Sequence, residues 1–78
     1  MPDYWKYIAT YDDVMIIFPP TVEHKAIADA VGSRVTSAGL IRVYDDGQIR
    51  CFGESTTLGL HSDPKRDERL ARGLADSD

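Results

Sequence analysis

A chain of 78 residues can build one hydrophobic core but not two, so we expect a single domain over residues 1–78. Its 42% of apolar and 28% of charged residues are typical of a folded globular domain and argue against wholesale disorder. The formal net charge of −4 opposes general binding of nucleic acid, because an acidic surface repels phosphate.

The first predicted element is a β-hairpin from Trp5 to Phe18, a stretch rich in aromatic and β-branched residues and interrupted only at Asp12-Asp13. A two-residue turn at these aspartates pairs Tyr7 with Phe18 and leaves apolar side chains on both faces. Such a hairpin would aggregate if it were exposed. Because one short helix can cover only part of it, we expect a homodimer or a tight partner complex that buries Trp5, Tyr7 or Phe18.

A helix is predicted from about Val22 to Val31. Pro19-Pro20 ends the preceding strand, and Thr21 is suited to cap the helix N-terminus. Apolar residues then recur at helical spacing until Gly32, which is suited to the left-handed position that follows a helix. We expect this helix to pack on one face of the sheet.

The second predicted hairpin runs from Leu40 to Phe52 around a three-residue loop, Asp45-Asp46-Gly47, with Gly47 in the left-handed conformation. This register gathers four apolar side chains on one face, in the pairs Val43–Ile49 and Ile41–Cys51. A two-residue loop would instead place Arg42 opposite Cys51 and bring charge into the core. The three-residue loop is therefore the preferred interpretation.

The C-terminal part is expected to be less regular. Residues 54–62 show no clear period and are predicted to form an extended edge or a loop. Asp63-Pro64 is typical of an N-cap followed by proline, and it begins a short charged helix that continues to about Arg72 and ends at Gly73. Its mixed run Lys65–Arg69 is interpreted as a solvated face, and residues 75–78 should fray.

Together these elements predict an α+β fold in the order ββαββα. Its small antiparallel sheet consists of the two hairpins, with one helix packed on a face and a short polar C-terminal helix. A lone cysteine, the absence of a secretory signal, and a longest apolar run of only Val14–Phe18 favour a cytoplasmic protein without a membrane partner.

Few residues could carry chemistry. Cys51 is the only thiol, but the predicted register buries it, where a nucleophilic thiolate forms poorly. The pairs Asp12-Asp13 and Asp45-Asp46 could bind a hard cation or act as acid and base, yet turns favour aspartate without any function. We therefore expect no cofactor, no metal and no catalysis. A small enzyme using Cys51 or the acidic turns is the third hypothesis.

One surface is predicted to bind a partner. In the preferred register Arg42 lies opposite Arg50, and like charges in this position destabilise a sheet unless an acid lies near them. That acid is either a partner's or one of Glu54, Asp67 and Glu68. Arginine and aromatic side chains are enriched at binding hot spots. The predicted binding residues are Arg42, Tyr44, Arg50, Phe52, Trp5 and Tyr7.

Three stretches resemble a group of small uncharacterised phage and prophage proteins. They are Val35-Thr36-Ser37-Ala38-Gly39-Leu40, Cys51-Phe52-Gly53-Glu54-Ser55 and Leu58-Gly59-Leu60-His61-Ser62. The resemblance covers roughly residues 34–74 and implies a viral origin, and hence the host cytoplasm, but no activity.

Phage accessory proteins of this size often inhibit a host or defence protein by covering a site on it. The first hypothesis is therefore a phage-type protein-binding module or inhibitor without catalysis. The alternative is a binder of single-stranded nucleic acid that uses its aromatic and arginine sheet face.

Overall fold

A computed structural model describes residues 4–75. The strands are β1 (Trp5–Thr10), β2 (Met15–Phe18), β3 (Val35–Val43), β4 (Ile49–Phe52), β5 (Glu54–Ser55) and β6 (Leu60–His61), and the helices are α1 (His24–Val31) and α2 (Pro64–Ala75). An antiparallel sheet of order β2-β1-β3-β4 lies beside the small β5-β6 hairpin. The predicted α+β fold is confirmed, and the segment expected to be an edge or loop contains the additional short hairpin.

The first hairpin has a different register from the predicted one. Tyr7 pairs with Ile17, and Phe18 pairs with Lys6. The reason is a three-residue loop with Asp13 in the left-handed conformation at φ 66°. Aspartate tolerates this conformation better than most residues, so the loop forms without glycine. The shift of one residue sends Tyr7 and Phe18 to opposite faces of the sheet.

The second hairpin has the predicted register. Its loop places Gly47 at φ 87°, and β3 pairs with β4 through Val43–Ile49, Arg42–Arg50 and Ile41–Cys51. Of the four apolar side chains on the shared face, Ile41, Ile49 and Cys51 are buried. Val43 is 62% exposed, so on β3 the buried core ends at Ile41.

Each face of the main sheet is covered by one helix. The face under α2, here called the α2 face, carries a cluster made of Tyr7, Ala9, Met15, Ile41, Ile49, Cys51 and Ala71. The opposite face, called the α1 face, carries Ile8, Phe18 and Ala38, with side chains of α1 and of the β5-β6 hairpin packed against them. Tyr7 and Phe18 are therefore buried within the chain, at 0% and 4% exposure. Their burial needs no partner.

The start of α1 also differs from the prediction. The N–H of Val22 donates to the carbonyl of Pro19 at 3.0 Å, so Thr21 lies in a turn rather than at the helix end. The cap is Glu23, which has an extended backbone and makes no capping bond with its side chain. The end of α1 agrees with the sequence, since Gly32 follows it at φ 74°.

The C-terminal helix is longer than predicted. It continues through Gly73 to Ala75, because Gly73 does not adopt a positive φ and so does not end the helix. Ala75 thus belongs to α2, and the rest of the predicted frayed tail lies outside the described residues. Neither helix of residues 4–75 is long and apolar enough to cross a membrane.

Candidate functional site

The four predicted binding residues of the second hairpin lie around the pair Arg42–Arg50. Leu40 pairs with Phe52 one step further along the same two strands. Since Ile41 and Cys51 point to the α2 face, their neighbours Arg42, Arg50 and Phe52 point to the α1 face. We call Arg42, Tyr44, Arg50 and Phe52 the arginine-aromatic patch.

Within this patch Arg42 is held by two rings. Its guanidinium carbon lies 6.0 Å from the centroid of the Tyr44 ring and 5.7 Å from that of Phe52. These distances are within the range of cation–π attraction. Tyr44 and Phe52 stay 44% and 36% exposed, so the patch presents two aromatic surfaces beside a cation.

Arg50 has an acid within the chain. Its Nη1 lies 3.7 Å from Oε1 of Glu68 on α2, which is one of the three internal acids anticipated from the sequence. Glu68 also accepts a hydrogen bond of 2.9 Å from the backbone N–H of Cys51 through Oε2. Because β4 is an edge strand, the Arg50 side chain reaches around it to the α2 side. Arg50 therefore has a structural contact with α2.

The two remaining predicted binding residues do not join the patch. Tyr7 is entirely buried, and its hydroxyl donates to Asp67 Oδ2 at 2.5 Å, so no part of it can contact a partner. The sequence analysis assigned Tyr7 to a partner because it allowed only one helix to cover the hairpin, whereas α2 covers the face that carries Tyr7. Trp5 is 40% exposed, but it pairs with Ile41 and so lies on the α2 face, opposite to Arg42.

An apolar groove lies on the α2 face at the end near Val43. It has a volume of about 380 Å³ and is lined by Ile17, Ile41, Val43, Ile49, Ala71 and Leu74. Ile17 and Leu74 are half-exposed, at 43% and 50%. The C-terminal half of α2 thus covers the sheet only in part.

A buried polar cluster under the N-terminal half of α2 was missed by the sequence analysis. Asp67 has 0% exposure and accepts hydrogen bonds from the Tyr7 hydroxyl, from Ser37 Oγ at 2.9 Å and from the Asp63 N–H at 2.9 Å. Arg66 Nη1 lies 3.5 Å from the same carboxylate. The Tyr7 hydroxyl also bonds to Ser62 Oγ at 2.7 Å.

The sequence did contain one signal of this cluster. Asp67 precedes Leu70, Ala71 and Leu74 by three, four and seven positions, the spacing of one helix face. It therefore belongs to the buried stripe of α2 rather than to the solvated face assumed for Lys65–Arg69. Every buried side-chain nitrogen and oxygen of the described residues has a hydrogen-bond partner, so the cluster is structurally complete.

The residues considered for catalysis have structural surroundings. Cys51 is buried as predicted, and burial, together with the charges of Asp67 and Glu68, raises the pKa of its thiol to about 12. At neutral pH it is therefore protonated and a poor nucleophile. His24 is buried with Nε2 2.9 Å from the Gly39 carbonyl, and Nδ1 of His61 lies 2.8 Å from the carbonyl of Ser62.

The acidic turns also have structural contacts. Asp13 pairs with Arg66 Nη2 at 2.9 Å, and Asp46 accepts a hydrogen bond from the N–H of Gln48 at 3.0 Å. Residues 4–75 contain no group of three or more His, Cys, Asp or Glu side chains that could hold a metal ion.

Comparisons with known proteins add no relative. No family model, no curated protein and no solved structure matches this chain. Function must therefore be inferred from the surface itself.

Proposed function

We propose that this protein is a non-catalytic binding module of phage type that occupies a surface of a host or defence protein through its arginine-aromatic patch. The observation that supports this most is the position of Arg42 between the rings of Tyr44 and Phe52. Tyr44 and Phe52 both remain partly exposed. The patch combines the residue types that most often dominate binding energy at protein interfaces.

The stacking of Arg42 lowers the cost of binding. A free arginine side chain carries about 2 kcal/mol of rotamer entropy, which is lost when a partner fixes it. An arginine already confined between two rings has lost part of that freedom before the encounter. Such pre-organisation raises affinity without new contacts.

The chemistry of the patch also indicates what it would contact. A guanidinium offers a planar set of donors that matches a carboxylate, and the flanking rings favour apolar or aromatic side chains. The complementary surface is then a carboxylate surrounded by apolar groups. Arg50 lies at the rim of this surface, where its contact with Glu68 reduces its share of the binding energy.

Binding of single-stranded nucleic acid is the second candidate, since exposed rings and arginine on a sheet can stack bases and contact phosphates. The net charge of −4 opposes it. So does the position of Glu54 two residues after Phe52, together with the aspartates of the adjacent loop. A gel shift with a mixed-sequence single-stranded DNA at low salt distinguishes the two, because retardation that Arg42→Ala abolishes would favour the nucleic-acid function.

The proposal is tested by capture from host lysate with the wild-type protein, Arg42→Ala and the control Arg69→Ala, which alters an exposed arginine of α2. We expect a partner that is retained by the control and lost by Arg42→Ala. The purified Arg42→Ala variant should then bind the purified partner about 2 kcal/mol, or roughly 30-fold, more weakly than the wild-type protein does. The stability of that variant should change by less than about 0.5 kcal/mol. Equal affinity of wild type, Arg42→Ala and Tyr44→Ala would contradict the proposal.

A further inference from the structure

The two edges of the main sheet differ in how they are protected. At the β4 edge, Glu68 accepts the outward N–H of Cys51, and Arg50 adds a charge beside it. These features block the addition of another strand. At the β2 edge the residues Val14–Phe18 are all apolar, and Val14 and Ile17 are 45% and 43% exposed.

The hydrogen bonds of the first hairpin show which backbone groups point outward from β2. The Thr10 N–H donates to the carbonyl of Val14 at 2.9 Å. In an antiparallel pair the direction alternates along the strand, so Ile16 and Phe18 also bond to β1. The N–H and C=O groups of Met15 and Ile17 therefore point away from the sheet.

The outward groups of β2 are symmetric about Ile16. Beyond Phe18 the edge ends, because Pro19 has no N–H and its carbonyl accepts the N–H of Val22. An antiparallel strand with the same sequence can thus pair with all the outward N–H and C=O groups of Met15 and Ile17 at once. Met15 would face the Ile17 of the other strand on each side of Ile16, which gives four hydrogen bonds.

We propose that a second copy of this chain pairs with β2 edge to edge, about a twofold axis through Ile16, and extends the sheet from four strands to eight. This inference is independent of the arginine-aromatic patch, which lies on β3, on β4 and at Tyr44 directly after β3, towards the opposite edge of the sheet. It also differs from the dimer expected from the sequence, because Tyr7 and Phe18 are already buried within the chain.

Charge favours a second copy over a charged partner at this edge. Two copies with a net charge of −4 repel each other over most of their surface. Residues Val14–Phe18 carry no charge, and Asp13, the acid that directly precedes them in the sequence, lies 2.9 Å from Arg66 Nη2. Two copies can therefore meet here without opposing like charges, while Ile17 and Val14 lose contact with water.

The size of the contact sets the expected strength. Strands of four residues bury less than the roughly 800 Å² per partner of a standard interface. The dimer should therefore form reversibly as concentration rises. Sedimentation equilibrium of the wild-type chain should show its mass increase from one chain towards two. A mass of one chain at every concentration up to about 1 mM, a range that includes weak contacts, would overturn the proposal.

Two lysine variants locate the contact. Ile17→Lys should abolish the dimer because it places two like charges diagonally across the shared apolar edge, and circular dichroism should show that it remains folded. Val43→Lys is the matched control, since Val43 is an equally apolar and still more exposed side chain of the same face, on β3. It should dimerise like the wild type. Dimerisation of Ile17→Lys, or its loss in Val43→Lys alone, would contradict pairing at β2.

Cysteine cross-linking tests the register. In the proposed arrangement the two Ile16 residues form a directly opposed pair without mutual hydrogen bonds, with Cα atoms about 4.5 Å apart, a distance that permits a disulfide. Ile16→Cys should form a covalent dimer under mild oxidation. Ile17→Cys, which would face Met15 of the partner, should not. Cys51 is buried and does not compete. Cross-linking of Ile17→Cys alone would show that the register is wrong.

Discussion

In its N-terminal half α2 is held to the sheet by polar groups, whereas in its C-terminal half it contacts apolar side chains and leaves a groove open. Asp67 accepts hydrogen bonds from Tyr7 and Ser37, and Glu68 accepts one from the backbone of Cys51. Arg66 donates to the Thr10 carbonyl. Seven residues after Asp67, Leu74 is still 50% exposed over the groove.

The difference shows how a small chain can fix a helix that has little apolar surface. Hydrogen bonds to a buried carboxylate are directional and strong, so they set the position of the first two turns. Apolar contacts tolerate imperfect fit, so the last turn can lie over the sheet without sealing it. The polar half anchors α2, and the apolar half leaves exposed surface on the α2 face.

The largest effect is expected from Asp67→Ala, which removes the anchor. The Tyr7 and Ser37 hydroxyls and the Asp63 N–H would lose their acceptor in a buried site. We expect a loss of about 3 kcal/mol in the free energy of unfolding, measured by urea denaturation. Asp29→Ala is the control, since Asp29 is an exposed helical acid paired with Lys25, and it should cost less than about 0.5 kcal/mol. Equal losses in both variants would show that the cluster does not anchor α2.

The anchor illustrates what the sequence could and could not predict. Apolar periodicity and turn residues were enough for the order of elements and for the second hairpin, where Gly47 identifies the left-handed position. In the first hairpin Asp13 takes that position, and an aspartate pair is compatible with both loop lengths. The register of β1 against β2 was therefore wrong by one residue.

The candidate surface was predictable to the extent that it depended on the second hairpin. The pairing of Arg42 with Arg50 followed from the loop, and the contact of the two rings with Arg42 is compatible with it. The contact of Arg50 with Glu68 could not be deduced, because it depends on where α2 docks. That docking depends on Asp67, whose side-chain partners Tyr7 and Ser37 come from two distant segments.

A second effect of the polar half concerns pH. Burial raises the pKa of Cys51 to about 12, and burial with the hydrogen bond to Asp67 raises the pKa of Tyr7 above its usual range. The folded state then keeps protons that the unfolded chain releases, first from the thiol above about pH 9 and later from the phenol. Stability should therefore fall as pH rises, by at most about 1.4 kcal/mol per unit for each group.

Urea denaturation at pH 8, 9 and 10 measures this fall, and Cys51→Ala provides the comparison. The alanine variant should be modestly less stable at pH 8, because burial of the thiol is lost, but its stability should decline less between pH 9 and 10. A decline as steep as that of the wild type would mean that the Cys51 thiol is not kept protonated by the fold.

The smallest effect is expected from Leu74→Ala in the C-terminal half. Complete burial of a leucine makes its truncation cost about 2–5 kcal/mol, but Leu74 is half-exposed and borders a groove that is already open. We expect a loss below about 1 kcal/mol. Leu70→Ala is the matched comparison, because Leu70 packs against the core cluster of the same face one turn earlier, and it should cost clearly more. If both variants lose the same stability in urea, the groove is closed in solution and the two halves of α2 do not differ in the way their contacts indicate.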